Sequence, residues 1–161
     1  MDTYAKHTGN FTYFTDWSGF NIPGNIVCEY KDNHLASGVS YLNKERLLFA
    51  SVSQYIQDYG EDFYLLAIYK ETDIKHELAH ACYYLYPEYR KGINKLINKR
   101  LKHFKDQKKK LLEMGYRPDM IDDEQQAYLL EAKLSCSVPL KIFEMQKKVK
   151  KLFARYTSGL K

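Results

Sequence analysis

Apolar positions along the chain fall into five stretches of helical spacing and one of strand character. From Asn43 to Tyr59 they recur at 47, 48, 52, 55, 56 and 59, steps of three and four that line one side of a helix. Asn43 is the expected cap, Glu45 and Arg46 lie in the first turn, and Gly60 stops the helix. From Ile74 to Leu85 they recur at 74, 78, 81 and 85, with Ala79 and Cys82 beside them. Asp73 provides an acidic start and Pro87 an end. Glu88 to Glu113 reads as one long basic helix with apolar residues at 93, 96, 97, 101, 104, 111 and 112. Met114-Gly115 ends it, and Pro118 lies in the loop beyond. Ile121 to Leu130 opens on acids, which suit the positive end of a helix dipole. After a break at Ser137-Val138-Pro139, residues 139–155 form a last amphipathic helix with apolar positions at 142, 143, 145, 149, 152 and 153. Residues 157–161 are a frayed tail.

The strand is Phe63 to Tyr69, a short aromatic and aliphatic run behind Gly60 that reads as buried. The first forty residues alternate turn formers (Gly9-Asn10, Ser18-Gly19, Pro23-Gly24, Asp32-Asn33, Ser37-Gly38) with apolar pieces at Phe11 to Phe14 and Ile26 to Tyr30. They predict short strands or loops with at most a helical turn. The order is a small N-terminal sheet, then a helix, then a mostly helical C-terminal half. That is an α+β fold, and no repeat or linker divides residues 1–161, so a single domain is expected.

One pattern carries chemistry. His76-Glu77-Leu78-Ala79-His80 is an H-E-x-x-H motif on the second of these helices. Residues i and i+4 share a helical face, so the two imidazoles can grip one zinc ion, with Glu77 placed to take a proton from water. A catalytic zinc takes three protein ligands and keeps one position open, so a third donor is required. A histidine six residues past His80 would define a metzincin, but Tyr86 stands there. The acids Asp122, Asp123 and Glu124 open a later helix. His103 sits among lysines and arginines, where neighbouring cations disfavour a metal.

Glu124-Gln125-Gln126-Ala127-Tyr128 resembles the second-ligand motif of the gluzincin metallopeptidases, E-x-x-A/S-D/N; with H-E-x-x-H, the resemblance runs from the active-site helix to the second ligand helix, about a third of the chain. The chain is similar to minimal gluzincins and to ImmA-like peptidase domains. That resemblance implies a zincin-like fold with a strand leading into the H-E-x-x-H helix. It also implies Zn2+ held by His76, His80 and Glu124, Glu77 as general base, and hydrolysis of a peptide or protein substrate, with endopeptidase action expected. Asp123 and Asp122 stay as alternative third ligands. Tyr128 departs from the motif, which puts an Asp or Asn there to orient a ligand histidine; Asp123, Tyr128 or Glu131 can take over that support. Tyr116 and Tyr128 are the hydroxyls to consider for stabilising an oxyanion.

Composition adds three points. No apolar run is long enough to span a bilayer, and the first residues lack the layout of a signal peptide. Cys28, Cys82 and Cys136 form no C-x-x-C pair, which suits reduced thiols and a cytoplasmic protein. The net charge of +5 is uneven. Arg90, Lys91, Lys95, Lys99, Arg100, Lys102, Lys105 and Lys108 to Lys110 crowd residues 90–110, and Lys147, Lys148, Lys150 and Lys151 form a second cluster. A solvated helix face accounts for such lysines. Weak contact with nucleic acid or an acidic surface is the secondary expectation. The alternative function is a zinc-binding scaffold with little or no proteolysis and a regulatory or nucleic-acid- or protein-binding role. A last expectation is latency, with residues 139–161 lying across the cleft.

Overall fold

The computed structural model describes residues 19–38, 40–68, 74–98, 101–131 and 140–159. The expected strand at Phe11 to Phe14, the cap Asp73, Tyr69, Cys136 and the break at Ser137 to Pro139 lie outside them.

Strand β1 (Gly19–Pro23) pairs antiparallel with β2 (Tyr64–Ile68), Gly19 opposite Ile68 and Pro23 opposite Tyr64. β2 begins one residue after the expected Phe63 and is half-buried rather than buried, because the described sheet has two strands. Helix α1 (Gly24–Ala36) follows β1 directly. Ile26 to Tyr30 therefore lies in a helix, against the expectation of a strand or loop. Only Gly24 and Val27 of α1 are buried, so the segment lacks the apolar stripe that would have marked it. Gly24 is required by a close approach. Its N–H donates to the Phe63 carbonyl at 2.9 Å, and a Cβ there would sit 2.7 Å from the Phe63 ring and carbonyl.

Helix α2 (Asn43–Tyr59) ends at Gly60, whose φ of 90° is left-handed. Its cap is Leu42, one residue before the expected Asn43. Leu42 offers no side-chain acceptor, but the Glu45 carboxylate accepts the Leu42 N–H at 2.8 Å, and Asn43 instead accepts from Arg46.

Helix α3 (Ile74–Leu85) carries the H-E-x-x-H motif. Pro87 both ends it and opens α4 (Pro87–Asn98), since a first-turn residue needs no N–H partner. Of the expected long helix 88–113, α4 and α5 (Leu101–Glu113) are helical in the expected phase, and residues 99–100 lie outside the described residues. Ile97 and Phe104, about two turns apart on one face, bury in one cluster. Gly115, at φ 93°, ends α5, and a 3-10 turn (Pro118–Met120) leads into α6 (Ile121–Glu131). Helix α7 spans Leu140–Thr157, two residues further than expected.

Two apolar clusters support the fold. Ala79, Tyr89, Ile93, Ile97, Ala127 and Val149 are fully enclosed in the helical one, and Val27, Phe49, Val52 and Phe63 form the other beneath the sheet. Helix α3 joins them, packed against β1 and β2 as well as α6. Helix α7 contributes Met145, Val149 and Phe153 to the helical cluster, and Gln146 donates to the Leu129 carbonyl at 2.9 Å. This helix is a wall of the core, so the expected strap across the cleft is corrected. Among the described residues, no helix is long and apolar enough to cross a membrane.

Candidate metal centre

Helices α3 and α6 pack face to face, and the fully buried Ala79 and Ala127 give their backbones room to approach. That approach turns two imidazoles toward one carboxylate. His76 Nε2 lies 3.8 Å from Glu124 Oε2, and His80 Nε2 lies 3.7 Å from Glu124 Oε1. The two rings are 4.8 Å apart at 69°. Donor atoms of His76, His80 and Glu124 all lie within 4.8 Å of one another. Ligand atoms bound to a tetrahedral zinc at ordinary bond lengths are about 3.3 Å apart, so a small inward movement would bring these into register.

The chemistry of the site also fits a cation. Glu77, Asp123 and Glu124 are all buried, and among the described residues no lysine or arginine pairs with any of them. Glu124 Oε2 is buried with no hydrogen-bond partner, an arrangement that a native interior seldom keeps uncompensated. Burial pushes the Glu124 carboxyl up to about 7; the His80 charge opposes this, while Asp123 and Glu77 add to it. For His80, burial acts to lower the pKa, but the Asp123 hydrogen bond and the charges of Asp123, Glu124 and Glu77 outweigh it and raise it.

Each imidazole is backed by an acid. His80 Nδ1 lies 2.9 Å from Asp123 Oδ1, which leaves Nε2 to face Glu124. Behind Asp123 the polar chain continues through the core: Gln126 Nε2 donates to Asp123 Oδ1 at 3.0 Å, and the Tyr89 hydroxyl donates to Gln126 Oε1 at 2.8 Å. His76 Nδ1 lies 3.1 Å from Glu131 Oε2 but is not aligned with it for a hydrogen bond. Asp123 and Glu131 thus stand where the Tyr128 departure left support to be found.

Of the alternative donors, Asp123 faces Nδ1 of His80 rather than the Nε2 side, and Asp122 lies outside the donor group. The His103 side chain is outside the described residues. Tyr128 packs edge-on against the His76 ring, centroids 5.0 Å apart at 80°, and its hydroxyl lies 3.5 Å from that of Tyr116. Burial raises the Tyr128 phenol. The two candidate hydroxyls therefore adjoin one another, with the Tyr128 ring against His76.

Sequence reasoning missed three residues from the sheet. Asn21 Nδ2 donates to Glu77 Oε2 at 2.5 Å, the Tyr64 hydroxyl donates to Asn21 Oδ1, and Gly19 lies against the Glu77 carboxylate. Their alternation, 19 and 21 on one strand face, was the available signal, but nothing local tied it to Glu77.

An apolar cavity of about 380 Å3 lies on the other flank of α3, among Leu48, Val52, Tyr55, Phe63, Leu78 and Leu85. It holds no cluster of titratable donors, so the chemistry belongs to the histidine face. Comparison with family models, curated proteins and solved structures finds no match to the chain.

Proposed function

We propose that the protein is a zinc-dependent hydrolase of peptide bonds, a zincin-like metallopeptidase acting as an endopeptidase. The observation that carries this reading is the convergence of His76 Nε2 and His80 Nε2 on the two oxygens of Glu124, with Glu77 between the two histidines on the same helix. His76, His80 and Glu124 would hold the ion. When bound, zinc lowers the pKa of water and polarises a carbonyl.

This chain's residues supply the rest. Asp123 holds His80 in the tautomer that presents Nε2. Glu77 accepts the proton of the attacking water and returns it to the leaving amine. The Tyr128 ring lies against His76 and its hydroxyl lies 3.5 Å from that of Tyr116, so these two hydroxyls are the candidate donors for a developing oxyanion on this reading.

A second reading, contact with nucleic acid or an acidic surface, draws on the exposed lysines of α5 and α7. Lys108, Lys109 and Lys110 lie in solvent, as do Lys147, Lys148, Lys150 and Lys151.

The test is metal analysis of the purified protein together with turnover on a peptide library. Wild type should carry close to one zinc per chain and cleave peptides. Glu77→Gln should keep the zinc and lose at least 100-fold in kcat, on the order expected for removing a general base. Zinc retained by a His76→Ala, His80→Ala double variant at the wild-type level would refute the site.

A further inference from the structure

Resting on the hydrolase reading above, we propose that Asn21 is a positioning residue for the Glu77 base, held in one orientation by Tyr64 and seated beside the bare backbone of Gly19. An ionised carboxylate only accepts, whereas a primary amide has one donating end and one accepting end. Asn21 Nδ2, 2.5 Å from Glu77 Oε2, is the end that a carboxylate demands. Oδ1 then points away, and it meets a donor there, the Tyr64 hydroxyl. A flipped amide would set oxygen against oxygen at Glu77 and forfeit that bond, although the Tyr64 hydroxyl could then accept from the amide N–H.

The sheet register makes this contact. Asn21 pairs with Leu66 and Pro23 with Tyr64, so Asn21 and Tyr64 are diagonal neighbours across the two strands, within reach of a long side chain. Gly19 is an independent observation. It shares the Asn21 face of β1, and a Cβ there would come within 2.8 Å of Glu77 Oε1, 3.2 Å of its Cγ and 3.3 Å of its Cδ. One oxygen of the base is thus bounded by strand backbone and the other by an amide.

A glutamate on a helix surface has three rotatable torsions, and a base displaced by about 1 Å loses much of its effect. Asn21 removes that freedom without taking part in proton transfer, because an amide does not titrate. The device has a cost for Tyr64. Its proton is committed to Asn21, so Tyr64 is not available as an oxyanion donor.

The experiment uses the full chain loaded with zinc. Asn21→Ala should lower kcat on a peptide substrate by about 10- to 100-fold. KM and zinc content should stay within about twofold, the split expected for an interaction that matters in the transition state. Tyr64→Phe should lower kcat less, and Asn21→Ala combined with Tyr64→Phe should be no slower than Asn21→Ala alone, because Tyr64 acts through Asn21. Additive losses, or a wild-type kcat in Asn21→Ala, would overturn the proposal.

A second arm needs no turnover. By NMR, the Asn21 side-chain NH2 protons should be protected from exchange in wild type and lose that protection in Glu77→Ala and in Tyr64→Phe. Equal exchange in all three would also overturn it. A wild-type protein that cleaves no peptide yet shows the protected amide would count against the hydrolase reading and leave the Asn21–Glu77 lock intact.

Discussion

Asp123 Oδ1 accepts from His80 Nδ1 at 2.9 Å and from Gln126 Nε2 at 3.0 Å, so one carboxylate oxygen fixes an imidazole on one side and is itself fixed on the other. Gln126 is in turn held by Tyr89, and both are fully buried. The His80 ring is therefore oriented by a chain of side chains that reaches into the helical core. Such outer partners set the tautomer and direction of a ligand histidine, and their loss typically costs 10- to 100-fold in metal affinity. Asp123→Ala should weaken zinc binding by about that factor, measured by competition with a chromophoric chelator. Asp123→Asn keeps an acceptor oxygen and should lose less. Equal affinity in wild type and Asp123→Ala would mean that His80 needs no orienting partner.

The metal-free protein should respond to pH through Glu124. Its folded pKa, about 7, lies above the ordinary 4.5 because burial disfavours the charged carboxylate. A group whose pKa rises on folding contributes stability that is complete below the unfolded value and disappears as pH climbs through the folded value. The window here runs from about 4.5 to about 7, and the raised His80 works in the same direction. Glu124→Gln is the control, since it keeps the shape of the protonated acid and cannot ionise. With chelator present, wild type and Glu124→Gln should melt at similar temperatures near the acid end of this window. Above its upper end the variant should be the more stable. Zinc should reverse the order, stabilising wild type increasingly as pH rises because the ion must displace these protons. A metal-free difference that stays flat with pH would show that Glu124 is not held in its raised state.

The legible part of the fold follows from local physics. Helix α3 announced itself through Ile74, Leu78, Ala81 and Leu85, and Glu124 through its place at the start of a helix with a small residue, Ala127, three positions on. Both signals sit within one turn or two of the residue concerned. What was not legible depends on distant partners. Asn21 acquires its role from residues 43 and 56 positions away, Tyr64 and Glu77, and a single strand residue cannot reveal that. The basic segment 88–113, by contrast, was legible, because Ile97 and Phe104 keep one helical phase and bury in one cluster. Helix α1 was not, because a helix that buries little has little periodicity to show.

The C-terminal helix belongs to the core. The late position of α7 after the ligand helix suggested a cover over the cleft, yet Met145, Val149 and Phe153 recur at steps of four and all enter the core with Ile93 and Ala127. Removing a buried phenylalanine side chain typically costs about 3–5 kcal/mol through lost burial and an unfilled cavity. Phe153→Ala should therefore lower the urea midpoint by an amount equivalent to about 3 kcal/mol, since the ring is slightly exposed at one edge. The two ideas then separate on turnover per folded molecule. A structural wall predicts that the variant, assayed where circular dichroism shows it folded, keeps the wild-type rate with reduced stability. A covering strap predicts a faster enzyme, because loosening α7 would open the site. Truncation after Val149 sharpens the contrast. It deletes Leu152, Phe153 and Tyr156, each part of the helical cluster or packed on it, and should yield an unfolded or molten chain rather than an activated one.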